Sequence, residues 1–244
     1  MIERRIWVMT LFPEFFQPLL ACGIAGQALR GERAVDMKLS LKTVNIRDWG
    51  LGNYGAVDDT PYGGGPGMIM RADVLAKAFH EGVMIPGGYQ NKNELTVIYT
   101  SPRGVVWNNL VAREFGEKIL AQKDIVLICG RYEGIDERFV ENYVDQIYSI
   151  GDYVLTGGEL AVMTLLDSSV RFVPGILGNK SSANEDSFED GLLECPQYTK
   201  PREFEGLEVP EVLANGNHAK IKEWQQEQKE VMTKKMRPDL WKKH

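Results

Sequence analysis

The chain has 244 residues, of which 43% are hydrophobic and 25% charged, and its formal net charge at pH 7 is −6. This length can bury one large core or two smaller ones, and the negative charge argues against a generic nucleic-acid binder. The longest apolar runs fall well short of the roughly 18 residues of a membrane span, and the first residues lack a signal-peptide core. Three widely spaced cysteines exclude a disulfide framework, and three isolated histidines exclude zinc-finger spacing. We therefore expect a soluble protein of the cytoplasm, a reducing compartment, with no membrane partner.

Strand-like and helix-like patterns alternate along the first two thirds of the chain. Apolar or alternating runs predict strands at residues 6–10, 37–46, 95–99, 125–129 and 146–150. Pro13 is predicted to open a first helix, and Asp73 to cap a helix that ends at Phe79. Further helices are predicted at residues 108–121, 136–143 and 158–166. This alternation is typical of parallel βαβ units, so the sequence predicts an α/β fold.

The pattern changes after Asp167, where no sustained periodicity is found until a helix-like run at 219–236. Long segments without periodicity in compact proteins are usually functional or linking. We therefore predict an α/β cofactor-binding domain at 1–167, an interdomain linker at 168–200 and a small helical domain at 201–244.

Charge is unevenly distributed over the C-terminal part of the chain. Residues 181–217 carry nine acidic side chains against Lys200 and Arg202, whereas residues 218–244 carry eight basic side chains, Lys and Arg, against four acidic ones. A local basic surface can meet phosphates even in an acidic protein. A solvated helix face has the same composition, and charge alone leaves both interpretations open.

Two glycine-containing stretches follow predicted strands. Residues 128–138 read ICGRYEGIDER, and residues 149–160 read SIGDYVLTGGEL. A third strand ends in the polar run 99–104, YTSPRG. Parallel strands end at one edge of a sheet, and glycines let the backbone approach a ligand closely, so we expect these loops to border one site. A ligand with polar and apolar parts, such as a nucleoside, suits them; the dinucleotide fingerprint G-x-G-x-x-G is absent, which disfavours NAD.

Other motifs allow two interpretations each. The run Gly63-Gly64-Gly65-Pro66-Gly67 resembles a phosphate cradle, but it lacks the Gly-Lys-Ser/Thr ending of a P-loop and equally suits a structural turn. Asp186 could accept a proton and Arg171 could stabilise an oxyanion, although an Asp-Ser pair is also a common helix cap. Cys195 has no neighbouring histidine, which favours an inert thiol.

In their order along the chain, these motifs resemble those of the bacterial tRNA (guanine-N1)-methyltransferase family, the TrmD family. The resemblance extends from Ile6 to about Pro238 and rests on the stretches 62–68, 130–138, 149–160, 186–188 and 191–199. It implies a SPOUT-type parallel sheet with a C-terminal deep trefoil knot, one of the rare exceptions to unknotted folds. It also implies S-adenosylmethionine as methyl donor, a homodimer with a shared active site, and magnesium dependence.

The implied substrate is the anticodon loop of a tRNA, methylated on N1 of the guanine at tRNA position 37, with the preceding guanosine part of the recognition. The resemblance makes Asp186 the general base, Arg171 the group that stabilises charge on the guanine O6 atom, and Glu133 a supporting acid linked to magnesium; no protein side chain is assigned as a metal ligand. The cofactor site would be lined by Tyr99, Thr100, Ser101, Pro102, Gly130, Tyr132, Ile150, Gly151, Asp152, Tyr153, Val154, Leu155, Gly157 and Gly158.

Two positions depart from the family pattern. Ala161 stands where the family usually has proline, and Glu194 where it often has aspartate. The length of the linker suits a segment that becomes ordered when tRNA binds. Two other functions stay open: a non-catalytic RNA-binding homologue, which the intact Arg171 and Asp186 disfavour, and a ribose 2′-O-methyltransferase of the same superfamily.

Overall fold

The computed structural model describes residues 2–33, 37–177 and 186–242. The chain divides into two compact units, Met1–Gly178 and Asn179–His244. The sequence placed the end of the first domain at residue 167, but the helix Glu159–Val170 continues past that point. The apolar side chains of Val170, Val173 and Ile176 are buried in the core of the first unit, so this unit extends beyond residue 167. Residues 178–185 of the predicted linker lie outside the described residues.

The first unit is built on a parallel sheet, which confirms the predicted α/β class. Within its described residues, five strands take the order β2-β1-β6-β5-β7, all parallel. In chain order the strands of the unit are β1 Ile2–Thr10, β2 Met37–Asn45, β3 Asp58–Asp59, β4 Ile69–Met70, β5 Leu95–Val106, β6 Asp124–Ile128 and β7 Gln146–Ser149. The short β3 and β4 pair antiparallel outside this sheet.

Both faces of the sheet are covered, which explains the uninterrupted apolar runs of the central strands. Along β6, Ile125 and Leu127 enter one core cluster, and Val126 and Ile128 enter the other. The strand β5 is longer than predicted because its register with β7 shifts between Thr100 and Val105 and pairing then resumes. This irregularity leaves polar residues 100–102 beside the end of β6.

Helices connect these strands and form the covering layers. They are α1 Gln17–Ala21, α2 Gly23–Leu29, α3 Ala72–Phe79, α4 Ile85–Gly87, α5 Asn109–Glu114, α6 Glu137–Tyr143 and α7 Glu159–Val170. Wider π-helical turns extend α3 through His80–Met84 and α5 through Phe115–Leu120. The predicted cap Asp73 was misplaced: Arg71 is the N-cap residue of α3, and Asp73 lies in the first turn, paired with Arg71 at 2.9 Å.

The second unit contains a short hairpin and three helical segments within its described residues. These elements are β8 Glu203–Phe204, β9 Leu207–Glu208, α8 Glu211–Ala214, α9 His218–Met236 and α10 Pro238–Trp241. The side chain of Asn217 caps α9 by accepting from the Lys220 amide. Thr233 ties α9 to the preceding chain, because its hydroxyl oxygen accepts from the Leu193 amide at 2.8 Å.

A polar network closes the sheet at the end where β6 begins. The Asp124 carboxylate accepts from the Arg5 amide at 3.0 Å and from the Tyr89 hydroxyl, which in turn accepts from the Trp7 indole at 3.1 Å. Burial, followed by the hydrogen bond to Asp124, raises the pKa of Tyr89 from 10.0 to about 12. The folded protein therefore holds this proton more tightly than the unfolded chain does.

This shift predicts a loss of stability in alkali. Because the folded-state pKa of Tyr89 is raised, its contribution is complete below pH 10 and is lost as the pH rises to about 12. We expect Tyr89→Phe to flatten this part of the curve of unfolding free energy against pH, measured by urea denaturation. Tyr54→Phe, at a side chain that is 98% exposed, is the control and should keep the wild-type slope. Equal slopes for wild type and Tyr89→Phe would contradict the prediction.

Candidate functional site

A cavity of about 210 Å³ lies where β6 and β7 end beside the middle of β5. The three loops that the sequence predicted to be neighbours therefore do meet at one edge of the sheet. The cavity is lined by Tyr99, Thr100, Ser101, Pro102, Gly130, Arg131, Tyr132, Glu133, Gly134, Tyr148, Ser149, Ile150, Gly151, Tyr153, Val154, Leu155, Thr156, Gly157, Gly158 and Ala161.

The two glycine stretches touch each other directly at the cavity wall. The Gly158 amide donates to the Gly130 carbonyl at 2.9 Å. A Cβ atom on Gly158 would lie 2.9 Å from both the Cys129 Cα and the Gly130 nitrogen, and one on Gly130 would lie 2.9 Å from the Tyr99 ring. Glycine is needed here because the backbones approach more closely than a side chain allows.

The end of the glycine-rich run, at Gly67, and the residues 68–70 that follow it contact the loop that carries Glu133. The Glu133 amide donates to the Met68 carbonyl at 3.0 Å, and the Met70 amide donates to the Gly134 carbonyl at 3.0 Å. A Cβ atom on Gly67 would lie 2.5 Å from the Glu133 Cγ. These contacts favour the structural-turn interpretation of the segment, since it holds the loop that carries Glu133.

The cavity wall combines charged, neutral polar and apolar groups. Burial raises the pKa of the Tyr99 hydroxyl further above its ordinary value. Ile150, Val154 and Leu155 add apolar surface on the side of β7. Tyr132 has a positive φ of 59°, a backbone conformation that costs energy for a residue with a side chain and that turns the chain sharply at the cavity edge. The mixed lining suits a ligand with polar and apolar parts.

All the residues that were predicted to line the cofactor site line this cavity, with the exception of Asp152. Glu133, predicted as a supporting acid, does line it. Six further residues line the cavity and were not among those predicted: Arg131, Gly134, Tyr148, Ser149, Thr156 and Ala161. Most of these lie inside the two glycine stretches, so counting each stretch as a continuous wall would have found them.

Arg171 and Asp186 fall in different units. Arg171 is the C-cap residue of α7, with its guanidinium carbon 5.7 Å from the centre of the Phe172 ring, and it is not a lining residue of the cavity. Asp186 begins the described part of the second unit, where its carbonyl accepts from the Glu189 amide. The neighbouring Ser187 hydroxyl oxygen accepts a hydrogen bond from the Glu194 amide at 3.0 Å.

Other kinds of site find little support in the described parts of the chain. Burial raises the pKa of the Cys195 thiol, which disfavours the reactive thiolate. In residues 2–33, 37–177 and 186–242, no group of three or more His, Cys, Asp or Glu side chains is placed to hold a metal ion. Within the same ranges, every helix is too short or too polar to cross a membrane.

Comparison with known proteins identifies the family of this chain. The model of the family described as tRNA (Guanine-1)-methyltransferase TrmD matches residues 4–243. The chain belongs to the TrmD family. Family members described as tRNA (guanine-N(1)-)-methyltransferase include that of Shewanella sediminis (strain HAW-EB3), 45% identical over 236 residues, which cover 97% of this chain and 92% of that protein.

Two further TrmD relatives carry the same description. The protein of Bartonella bacilliformis is 47% identical over 234 residues, covering 96% of this chain and 93% of its own length. The protein of Ruegeria sp. (strain TM1040) is 44% identical over 235 residues, covering 96% and 90%. The match confirms the resemblance drawn from the motifs, which already extended from Ile6 to about Pro238.

Proposed function

We propose that this protein transfers a methyl group from S-adenosylmethionine to N1 of the guanine at position 37 of tRNA. The observation that carries the proposal is the cavity formed by the two glycine stretches in a chain that matches the TrmD family from residue 4 to 243. The family also suggests the SPOUT class and its trefoil knot.

The cavity has the features that S-adenosylmethionine requires. The glycine-walled cradle would hold the flat adenine ring, and the mixed lining offers apolar surface from Ile150, Val154 and Leu155 together with backbone polar groups. When bound, the cofactor supplies a methyl group on a positively charged sulfur. The protein's part is to orient that group and to exclude water from it.

In our proposal, side chains other than those that bind the cofactor activate the guanine base. Guanine N1 carries its proton at neutral pH and is then a poor nucleophile. Asp186 accepts that proton in our proposal, and Arg171 stabilises the negative charge that develops on O6. Glu133, at the cavity edge, supports the arrangement as a second acid. No step is assigned to magnesium, because the described residues offer no cluster of ligands for it.

A homodimer is part of the proposal. Large apolar side chains are exposed on the segments that border the cavity: Val105, Val106, Leu110, Val154 and Leu160. A second copy of the chain would bury these apolar groups, which are otherwise exposed to water. Such a dimer brings each cavity next to the partner subunit, as a shared active site requires. We place this activity in the cytoplasm, where tRNA is modified.

We propose that basic residues of α9 contact the tRNA backbone. Several basic side chains of the tail are engaged within the second unit: Lys229 pairs with Asp190 at 2.8 Å, Lys234 lies 4.1 Å from the Trp241 ring centre, and Arg237 pairs with Asp239. Lys220, Lys222 and Lys235 are exposed and are the better candidates for phosphate contacts.

Replacing Lys220, Lys222 and Lys235 together with glutamine should weaken tRNA binding and reduce its salt dependence. Each lost phosphate contact lowers the slope of log K against log salt by about 0.7 to 0.9. The slope is measured by filter binding over a salt series. The control, Lys234→Gln, removes one lysine that already lies on an aromatic ring and should leave the slope unchanged. An unchanged slope in the triple variant would contradict the role given to these lysines.

Methyl transfer itself is tested with labelled S-adenosylmethionine and unmodified tRNA. We expect label at N1 of guanine 37, identified by nuclease digestion and mass spectrometry of the nucleosides. Label on a ribose 2′ oxygen would identify a ribose methyltransferase instead. Binding of tRNA without any transfer, with and without magnesium, would identify a non-catalytic RNA-binding protein.

A further inference from the structure

A buried ion pair at the cavity wall is not part of the chemistry proposed above. Glu159, the first residue of α7, is 1% exposed. Its Oε2 atom lies 2.9 Å from Nη2 of Arg131, and its Oε1 atom accepts from Nε of Arg131 at 3.2 Å. Burying a carboxylate costs free energy unless a positive charge pairs with it. Any arrangement that separates Glu159 from Arg131 is therefore disfavoured.

The pair joins three segments of the chain. The Thr10 hydroxyl, at the end of β1, donates to Oε1 of Glu159 at 2.8 Å. The Arg131 guanidinium lies 4.4 Å from the centre of the Phe12 ring, and its Nη1 donates to the Thr156 carbonyl at 3.2 Å. The end of β1, the loop after β6 and the turn before α7 therefore meet at one charge pair.

The guanidinium also determines where the second glycine stretch lies. A Cβ atom on Gly157 would lie 2.2 Å from Nε of Arg131. Gly157 thus rests directly on the guanidinium, while the neighbouring Thr156 is held by its hydrogen bond. Arg131, Thr156 and Gly157 all line the cavity. Any displacement of the guanidinium must move this part of the wall.

We propose that Arg131 and Glu159 are positioning residues that act as one unit and place the 156–158 turn for cofactor binding. Glu159 fixes the position of the Arg131 guanidinium through the ion pair. The guanidinium in turn fixes the turn through its hydrogen bond to the Thr156 carbonyl. The inference rests on the proposed function, since it assumes that S-adenosylmethionine occupies the cavity. The pair acts on cofactor affinity and has no direct contact with the tRNA base.

Glu159→Gln tests this role because it removes the charge and keeps the size of the side chain. We expect the Kd for S-adenosylmethionine, measured by calorimetry, to rise at least about tenfold, since small displacements of a binding wall have effects of this size. The KM for tRNA and the kcat at saturating cofactor should stay within about threefold of wild type. Glu159→Asp keeps the charge and should give a smaller rise, which provides a second measurement if the glutamine variant folds poorly.

The double variant Arg131→Gln with Glu159→Gln tests whether the two residues act together. If they form one unit, the double variant binds cofactor no more weakly than the worse single variant. Effects that multiply would refute the coupling.

The matched control is Asp124→Asn, which removes a buried carboxylate paired with Arg5 at the opposite end of β6. It should lower thermal stability and leave the cofactor Kd unchanged. A normal Kd in Glu159→Gln, or an equal rise in Asp124→Asn, would refute the positioning role while wild-type binding still supports the proposed function. Wild-type protein that binds no S-adenosylmethionine would refute both.

Discussion

Replacing Asp186 with asparagine is expected to lower the rate of methyl transfer about 10³-fold while cofactor binding survives. Asparagine keeps the shape of the side chain but has no carboxylate to accept the guanine N1 proton, so the nucleophile is not formed. Single-turnover rates with labelled cofactor and tRNA measure the loss. Calorimetry with S-adenosylmethionine shows whether the cavity is intact.

Asp190→Asn is the matched control in the same turn of the second unit. The Asp190 carboxylate pairs with Lys229 at 2.8 Å and accepts from the Leu192 amide at 3.1 Å, so its role within this unit is structural. We expect Asp190→Asn to destabilise the unit and to keep turnover at saturating tRNA within a few-fold of wild type. A similar rate loss in both variants, or loss of cofactor binding in Asp186→Asn, would make Asp186 a structural residue.

Gly158→Ala is expected to weaken S-adenosylmethionine binding by about two orders of magnitude. The backbone of Gly158 is right-handed, with φ −78° and ψ −9°, so alanine meets no conformational penalty there. The added Cβ would instead lie 2.7 Å from Thr100 Oγ1 and 2.9 Å from the backbone of the 129–130 segment. The two glycine stretches must then separate, which costs about 1 to 3 kcal/mol and deforms the cavity wall that they share.

Gly88→Ala is the control that distinguishes a damaged cofactor site from a general loss of protein stability. Gly88 has a φ of 74° with open space around it, and it lies after α4, outside the residues that line the cavity. Alanine there should cost about 1 kcal/mol of unfolding free energy through backbone strain and leave the cofactor Kd unchanged. If Gly158→Ala and Gly88→Ala bind cofactor equally well, contact between the glycine stretches is not what forms the site.

Much of the fold could be predicted from local patterns. The strands β1, β2, β6 and β7 were found within a few residues, because β6 and the end of β1 are buried apolar runs and β2 alternates apolar and polar residues. The strand β5 was predicted too short, since its continuation to Val106 depends on the register shift against β7 and on Gly104. A Cβ atom on Gly104 would lie 2.5 Å from the backbone of Ile147 and Tyr148. Such an approach is a property of the packed sheet and leaves no local periodicity.

Part of the candidate site could also be predicted from local patterns, and part could not. The glycine stretches and the polar end of β5 indicated one ligand site, because parallel strands end at a common edge and glycine permits close approach. The roles of Asp186 and Arg171 came from the family resemblance, since an aspartate before a serine has no distinctive physical signature.

By itself, the sequence determined the α/β class, the family and the three loops of the cavity, because periodicity and short motifs are local properties. Only the tertiary structure decided that Asp152 does not line the cavity and that Gly67 packs against Glu133. It also decided that Arg131 and Glu159, 28 positions apart, form a buried pair under Gly157. The physical reason is that burial and ion pairing depend on which segments the sheet brings together, and that information is distributed over the whole chain.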